Sequence, residues 1–289
     1  MESASFSGLA RPQIHFRMQS CRGLITIFLL GCLLYSCDFQ KDIQVKLPPY
    51  DKQLVAECYM QRGKGFRAAV TETNSYFDSL RIPVVNHAKL ILRNSKGLSD
   101  TIPYNPTLDI ETLKFYNFSS QTTDYDTTAS YTLEIKDSLG RALSGQTRFL
   151  PPPDVDTIMV QYNPDSKDSL ARFQIYIRDF PGQSNYYRVI FNQDSLDSAP
   201  VLEFEFNDNN LDGQRFPIGT TYRFKRKKTM LIHIYHMEQQ YYNYLEAMEA
   251  AGRANGNPFA QPATIRSAMS GGGFGIFTSL NYRFFKVKY

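Results

Sequence analysis

The residues of this chain that could do chemistry fall into a few small groups. Asp208-Asn209-Asn210-Leu211-Asp212-Gly213 matches the first half of a calcium loop, D-x-[DN]-x-[DN]-G, whose oxygens suit a hard cation and whose glycine permits the sharp turn. Asp208, Asn210 and Asp212 would be the ligands. The twelfth position, however, is Gly219 where a bidentate glutamate belongs, and the preceding VLEFEFN alternates as a strand where a helix is needed. A hydrated hairpin turn is the favoured reading, with calcium the weaker one. His233 and His236 are three apart, so on a strand they point to opposite faces. A catalytic metal needs about three protein ligands, and His87 is the only other histidine after residue 37. Glu203 and Glu205 share a strand face, where two carboxylates could serve a glycosidase. An ordinary solvated face explains them as well. There is no G-x-S-x-G elbow and no S-x-x-K at a suitable helix start. No catalytic residues, no metal and no enzyme activity are therefore expected, and an unrecognised hydrolase is a minor alternative.

Two further groups suit binding. Lys225, Arg226, Lys227 and Lys228 form a concentrated positive patch between two strand patterns. It suits anionic headgroups or phosphates, although a hairpin tip kept soluble by charge is the simpler reading. Tyr241, Tyr242 and Tyr244, with Tyr186 and Tyr187, offer aromatic faces of the kind glycan sites use, while core packing is the commoner role of such residues.

The elements that would position these groups are mostly strands. LVAECYM (54–60), HAKLILR (87–93), SYTLEIK (130–136), RFQIYIRD (172–179), YYRVIFN (186–192), VLEFEFN (201–207) and TMLIHIYH (229–236) alternate or are β-branched and aromatic, and turn residues bound them. One helix is expected over 237–254, where MEQQYYNYLEAMEAAGRA combines helix formers with spaced apolar residues before Gly252 and Pro258 stop it. Pro151, Pro152 and Pro153 remove three backbone donors in a row and mark the expected junction between two blocks. The chain is thus read as mostly β. Residues 52–150 form a small Ig-like or prealbumin-like β-sandwich, and 154–289 form a second β-rich domain carrying the helix. Ser270-Gly271-Gly272-Gly273-Phe274-Gly275-Ile276-Phe277 reads as a flexible turn before an aromatic closing strand.

The start of the chain speaks to location. Met18 to Arg22 is weakly basic, GLITIFLLGCLL (23–34) is apolar and too short to span a bilayer comfortably, and Leu33-Leu34-Tyr35-Ser36-Cys37 ends on a small residue and a cysteine. This is the pattern of a lipoprotein signal. Residues 1–36 are read as upstream sequence and signal peptide, with Met18 as the initiator. Cys37 is expected to carry a covalent lipid, the only added group foreseen, and 37–51 to act as a tether. Losing Glu2, Arg11, Arg17 and Arg22 with the leader takes 32 basic and 28 acidic residues to 29 and 27. A balance so close to neutral argues against nucleic acid as a partner. Cys21 and Cys32 leave with the leader and Cys37 is acylated, so Cys58 stays alone and no internal disulfide forms.

In order along the chain, the lipobox, Leu54-Val55-Ala56-Glu57, Ala88-x-Leu90-x-Leu92, Tyr131-x-Leu133-x-Ile135 and the proline junction resemble the Bacteroidota lipoproteins grouped as domain of unknown function 4249. Asn185-Tyr186-Tyr187-Arg188, Phe206-Asn207-Asp208, Asn257-Pro258-Phe259 and Gly272 to Phe277 extend the resemblance over nearly the whole mature chain. Ala268-Met269 departs from the Asn-Ile expected ahead of the glycine turn. The resemblance implies a cell-envelope protein partnering an outer-membrane TonB-dependent receptor, and it brings no catalytic residues. DFQKD (38–42) resembles the export tags of surface lipoproteins. The expectation is an outer-membrane, lipid-anchored, non-catalytic binding or accessory protein, exposed at the cell surface, with a self-standing glycan- or ligand-binding adhesin as the alternative.

Overall fold

The computed structural model describes residues 51–74, 82–110, 113–164, 169–209, 211–254 and 265–289. Cys37 and the leader lie outside the described residues. Period-two alternation builds the sheets. In β1 (Leu54–Gln61), Leu54, Ala56, Cys58 and Met60 enter one core while Tyr59 enters another on the opposite face. The remaining strands of the N-terminal half are β2 (Lys64–Glu72), β3 (Lys89–Asn94), β4 (Ser99–Ile102), β5 (Tyr104–Asp109), β6 (Lys114–Ser119), β7 (Ser130–Lys136) and β8 (Ala142–Arg148). After the prolines come β9 (Asp154–Tyr162), β10 (Ala171–Arg178), β11 (Tyr186–Gln193), β12 (Leu202–Asn207), β13 (Arg215–Gly219), β14 (Thr229–Met237), the helix α1 (Gln239–Ala254) and β15 (Phe274–Lys288). The fold is mostly β with a single described helix near the C-terminus.

Among the described residues the strands make three sheets. One has eight strands in the order β12-β11-β14-β15-β1-β2-β6-β5, one has four in the order β4-β3-β7-β8, and one has three in the order β13-β10-β9. Each small sheet packs on the long one through its own core. Leu90, Leu133 and Ile135 meet Phe66, Ala68 and Phe277 in the first. Phe173, Ile175 and Ile177 meet Val189, Phe191 and Ile232 in the second. A third, tyrosine-rich cluster lies on the opposite face of the long sheet beneath α1, with Tyr59, Tyr116, Tyr241, Tyr244 and Ile276.

β15 decides the architecture. Its first half, 274–280, pairs parallel with β1, and its second half, 281–288, pairs antiparallel with β14. One strand therefore belongs to both sandwiches. Phe277 enters the first core, and Phe285 and Val287 pack against the second. This corrects the expected organisation, because the first sandwich is not complete within 52–150 and residues 50–289 form one compact unit. The prolines do fall between β8 and β9, but a strand from the far end of the chain closes the junction. No local pattern announces a parallel pairing between residues about 220 apart.

α1 starts two residues later than expected, because Met237 still pairs with Tyr186 in the sheet. Its buried side is Tyr241 and Tyr244, and Arg253 sits in its last turn, where a cation suits the helix dipole.

Candidate functional site

The described residues surround a cavity of about 230 Å³ on the helix-bearing face of the long sheet, at the seam where the two halves meet through β15. Its floor is strand side chains that alternate away from the two cores: Tyr59 and Gln61 from β1, Leu280 from β15, His233 and Tyr235 from β14, and Arg188, Ile190 and Asn192 from β11. Three walls rise around it. Tyr241 projects from α1, Lys114 and Tyr116 come from the β5–β6 hairpin, and Leu196 and Pro200 come from the loop between β11 and β12. The hairpin can lean over this face because Asn117 replaces the sheet ladder there. Its side chain bonds both the N–H and the C=O of Val70, so β6 peels away from β2 beyond that point.

Charge at the cavity is held in pairs. Arg188 donates to Glu203 at 2.8 Å and to the Tyr241 hydroxyl at 3.0 Å, and its Nε lies 3.1 Å from Glu205. Arg67 pairs with Asp109 and donates to Gln61 at 2.8 Å, with Tyr116 beneath its guanidinium. Lys114 reaches Glu57 at 3.0 Å and lies over the Tyr59 ring. Glu57 also accepts from the hydroxyls of Tyr59 and Tyr244, both at 3.1 Å. One carboxylate thereby ties the hairpin, β1 and α1 together. Glu205 is different. Burial pushes its carboxyl above the usual range despite the charge of Arg188.

Burial also acts to raise the Glu57 carboxyl, but the charge of Lys114 and the hydrogen bonds from Lys114, Tyr59 and Tyr244 outweigh it and hold the group below 4.5. A carboxylate lowered on folding contributes stability that is present above its unfolded pKa and drains as pH falls through the folded value. Urea midpoints measured from pH 7 down to pH 3 should therefore fall less steeply for Glu57→Gln than for the wild type. Parallel curves would contradict the network.

The residues singled out from the sequence scatter. Tyr241 lines the cavity. Tyr244 is buried beneath it on Glu57, and Tyr242 packs outside on Tyr186. Tyr187 is core, its hydroxyl donating to Asp179 at 3.0 Å. Asp208 is buried and accepts from Asn185, while Asp212 accepts from the Gly182 N–H at 2.7 Å. Asn210 lies outside the described residues, and among those described no cluster of three His, Cys, Asp or Glu could hold a metal ion. Lys225, Arg226, Lys227 and Lys228 are exposed next to the second core and do not line the cavity. There Lys228 pairs with Asp194 at 2.7 Å and Arg226 lies over Tyr162. Cys58 is fully buried, and burial pushes its thiol up and out of the reactive range.

The two histidines do face opposite ways. His233 borders the cavity, whereas His236 lies between the rings of Phe180 and Tyr187, with its nitrogens 2.9 Å from the Pro151 carbonyl and 3.1 Å from Asn185 Oδ1. Arg188, Glu203, Tyr59, Tyr116 and Tyr235 were not legible as one site. The available signal was weak: Arg188, Ile190 and Asn192 recur at every second position, as do His233 and Tyr235, on strands whose intervening residues are apolar.

The sequence profile of a family described as "Domain of unknown function (DUF4249)" matches residues 40–283. No curated protein matches the chain. Among solved structures, the crystal structure of a DUF4785 family protein from Legionella pneumophila is similar at 12% identity over 63% of this chain, with a TM-score of 0.24. The chain spans 50% of that structure's length.

Proposed function

The chain belongs to the DUF4249 family, and on that premise we propose that it is a non-catalytic binding protein, lipid-anchored to the outer membrane through Cys37, that holds a small ligand in the seam cavity. The observation that carries this reading is the cavity itself: a concave site at the meeting of two sandwiches, walled by aromatic rings with a few converging polar groups, is the form small-ligand sites take. Glu57, Asp109 and Glu203 are each paired with a cation at the cavity, which supports a binding role. In this proposal the acylated Cys37 supplies the anchor. The test joins two readouts on full-length protein gently extracted from membranes. Palmitate should label the wild type and not Cys37→Ser, and native mass spectrometry should show a small-molecule adduct that Arg188→Ala lacks. An unlabelled wild type overturns the anchor, and an adduct indifferent to Arg188 overturns the site.

A second role is supported by a separate feature. The β5–β6 hairpin turns Leu108, Ile110, Leu113 and Phe115 outward, each at least half exposed, while Asp109 and Lys114 serve the cavity side. An apolar patch at a sheet edge suits docking onto a membrane-embedded partner, here a TonB-dependent receptor whose cargo the cavity would hand over. A pull-down of tagged protein from outer membranes should recover a transporter barrel with the wild type and lose it with Phe115→Glu. Equal recovery with both would refute the docking role of the hairpin.

A further inference from the structure

We propose that the seam cavity takes a neutral, hydroxyl-rich ring of the size of one pyranose unit, stacked on tyrosine and gripped at neighbouring hydroxyls by a paired guanidinium and carboxylate. This rests on the binding role proposed above and names the class of ligand.

Charge balance argues first. Each cation at the cavity has its own carboxylate: Arg67 has Asp109, Lys114 has Glu57, and Arg188 has both Glu203 and Glu205. No surplus positive charge is left for a carboxylate or phosphate ligand, and an ion of either sign would be desolvated there without compensation. A wholly apolar ligand fails for the opposite reason, since it would strip water from three ion pairs and return no hydrogen bonds.

The arrangement of polar groups argues next. Arg188 and Glu203 lie 2.8 Å apart on adjacent strands at the cavity wall, presenting a donor and an acceptor side by side, and the Asn192 and Gln61 amides add both functions nearby. Two hydroxyls on adjacent ring carbons match such a pair, one accepting from the guanidinium while the other donates to the carboxylate. Tyr59, Tyr116 and Tyr241 are buried in the lining, with Lys114 over the first ring and Arg67 over the second, and Tyr235 is the partly exposed ring among the lining tyrosines. The negative face of an aromatic ring attracts the weakly positive C–H face of a pyranose, so Tyr235 would serve one face of the sugar while its hydroxyl-bearing edge meets Arg188 and Glu203. At about 230 Å³ the cavity falls below the range of roughly 300–1,000 Å³ common for drug-sized ligands, which limits the enclosed part to one ring.

Saturation-transfer NMR on the full-length protein in detergent tests the assignment. The probes are the methyl glycosides of glucose, galactose, mannose and N-acetylglucosamine, with citrate and a neutral dipeptide amide as other classes. Saturation of the tyrosine ring protons should pass to the ring C–H protons of at least one glycoside. Glu203→Gln, a change at a half-exposed side chain made with the melting temperature checked alongside, should weaken that glycoside by about tenfold. Transfer to citrate or the dipeptide amide and to no glycoside overturns the saccharide assignment while leaving the binding role standing. Transfer to none of the probes overturns both, and unchanged glycoside affinity in Glu203→Gln overturns the grip on neighbouring hydroxyls.

Discussion

Gly275→Ala should destabilise the protein by about 4 kcal/mol, far more than Gly272→Ala three residues earlier, which should cost about 1 kcal/mol. Gly275 has φ +152° and stands opposite Ala56 in the parallel pairing of β15 with β1. A Cβ there would run into the Ala56 backbone carbonyl, so the two strands would have to part. Gly272 also has positive φ, +85°, but a Cβ at that position meets nothing, so only the backbone preference is lost. Urea denaturation followed by far-UV circular dichroism separates the two. Equal losses in both variants would mean that β15 does not lie against β1 as described. The expected cost is large because this one pairing completes the first sandwich and joins it to the second.

Phe173→Ala should cost about 3–5 kcal/mol and should loosen the N-terminal sandwich as well as its own. Phe173 is fully buried, with ring centroids 5.9 Å from Phe191, 5.5 Å from Phe224 and 5.0 Å from Tyr289. Tyr289 follows β15 directly, so the cavity left by the missing ring lies against the end of the shared strand. Hydrogen exchange is the decisive measurement. Amides of β7, in the four-stranded sheet of the first sandwich, should lose protection together with those of β10, because both depend on β15. If β7 exchanged at the wild-type rate while β10 opened, the two sandwiches would be independent folding units.

How much of this was legible can be judged strand by strand. The alternation of LVAECYM, SYTLEIK, RFQIYIRD and TMLIHIYH is a local property, and each appears as a strand at the expected place. The helix was legible for the same reason, since Tyr241 and Tyr244 recur at helical spacing within good helix formers. The opposite facing of His233 and His236 follows from the same period of two. The cavity did not show itself, because Tyr59, Tyr116, Arg188 and Tyr241 lie on four different elements and no spacing along the chain connects them. Tyr241 was singled out with Tyr242 and Tyr244, but one tyrosine of the three reaches the cavity lining. Which face of the helix meets the sheet is a matter of packing.

The sequence by itself determined the strand and helix content, the faces of each strand and the family to which the chain belongs, because these depend on residue types at short, regular separations. Tertiary structure alone decided that the two blocks share a strand, that Gly275 within it is needed for close backbone approach, and that three paired cations gather around one concave face. Those outcomes depend on the parallel pairing of β15 with β1. That pairing spans nearly the whole described chain, and it rests on surface burial summed over both cores, which no single segment encodes.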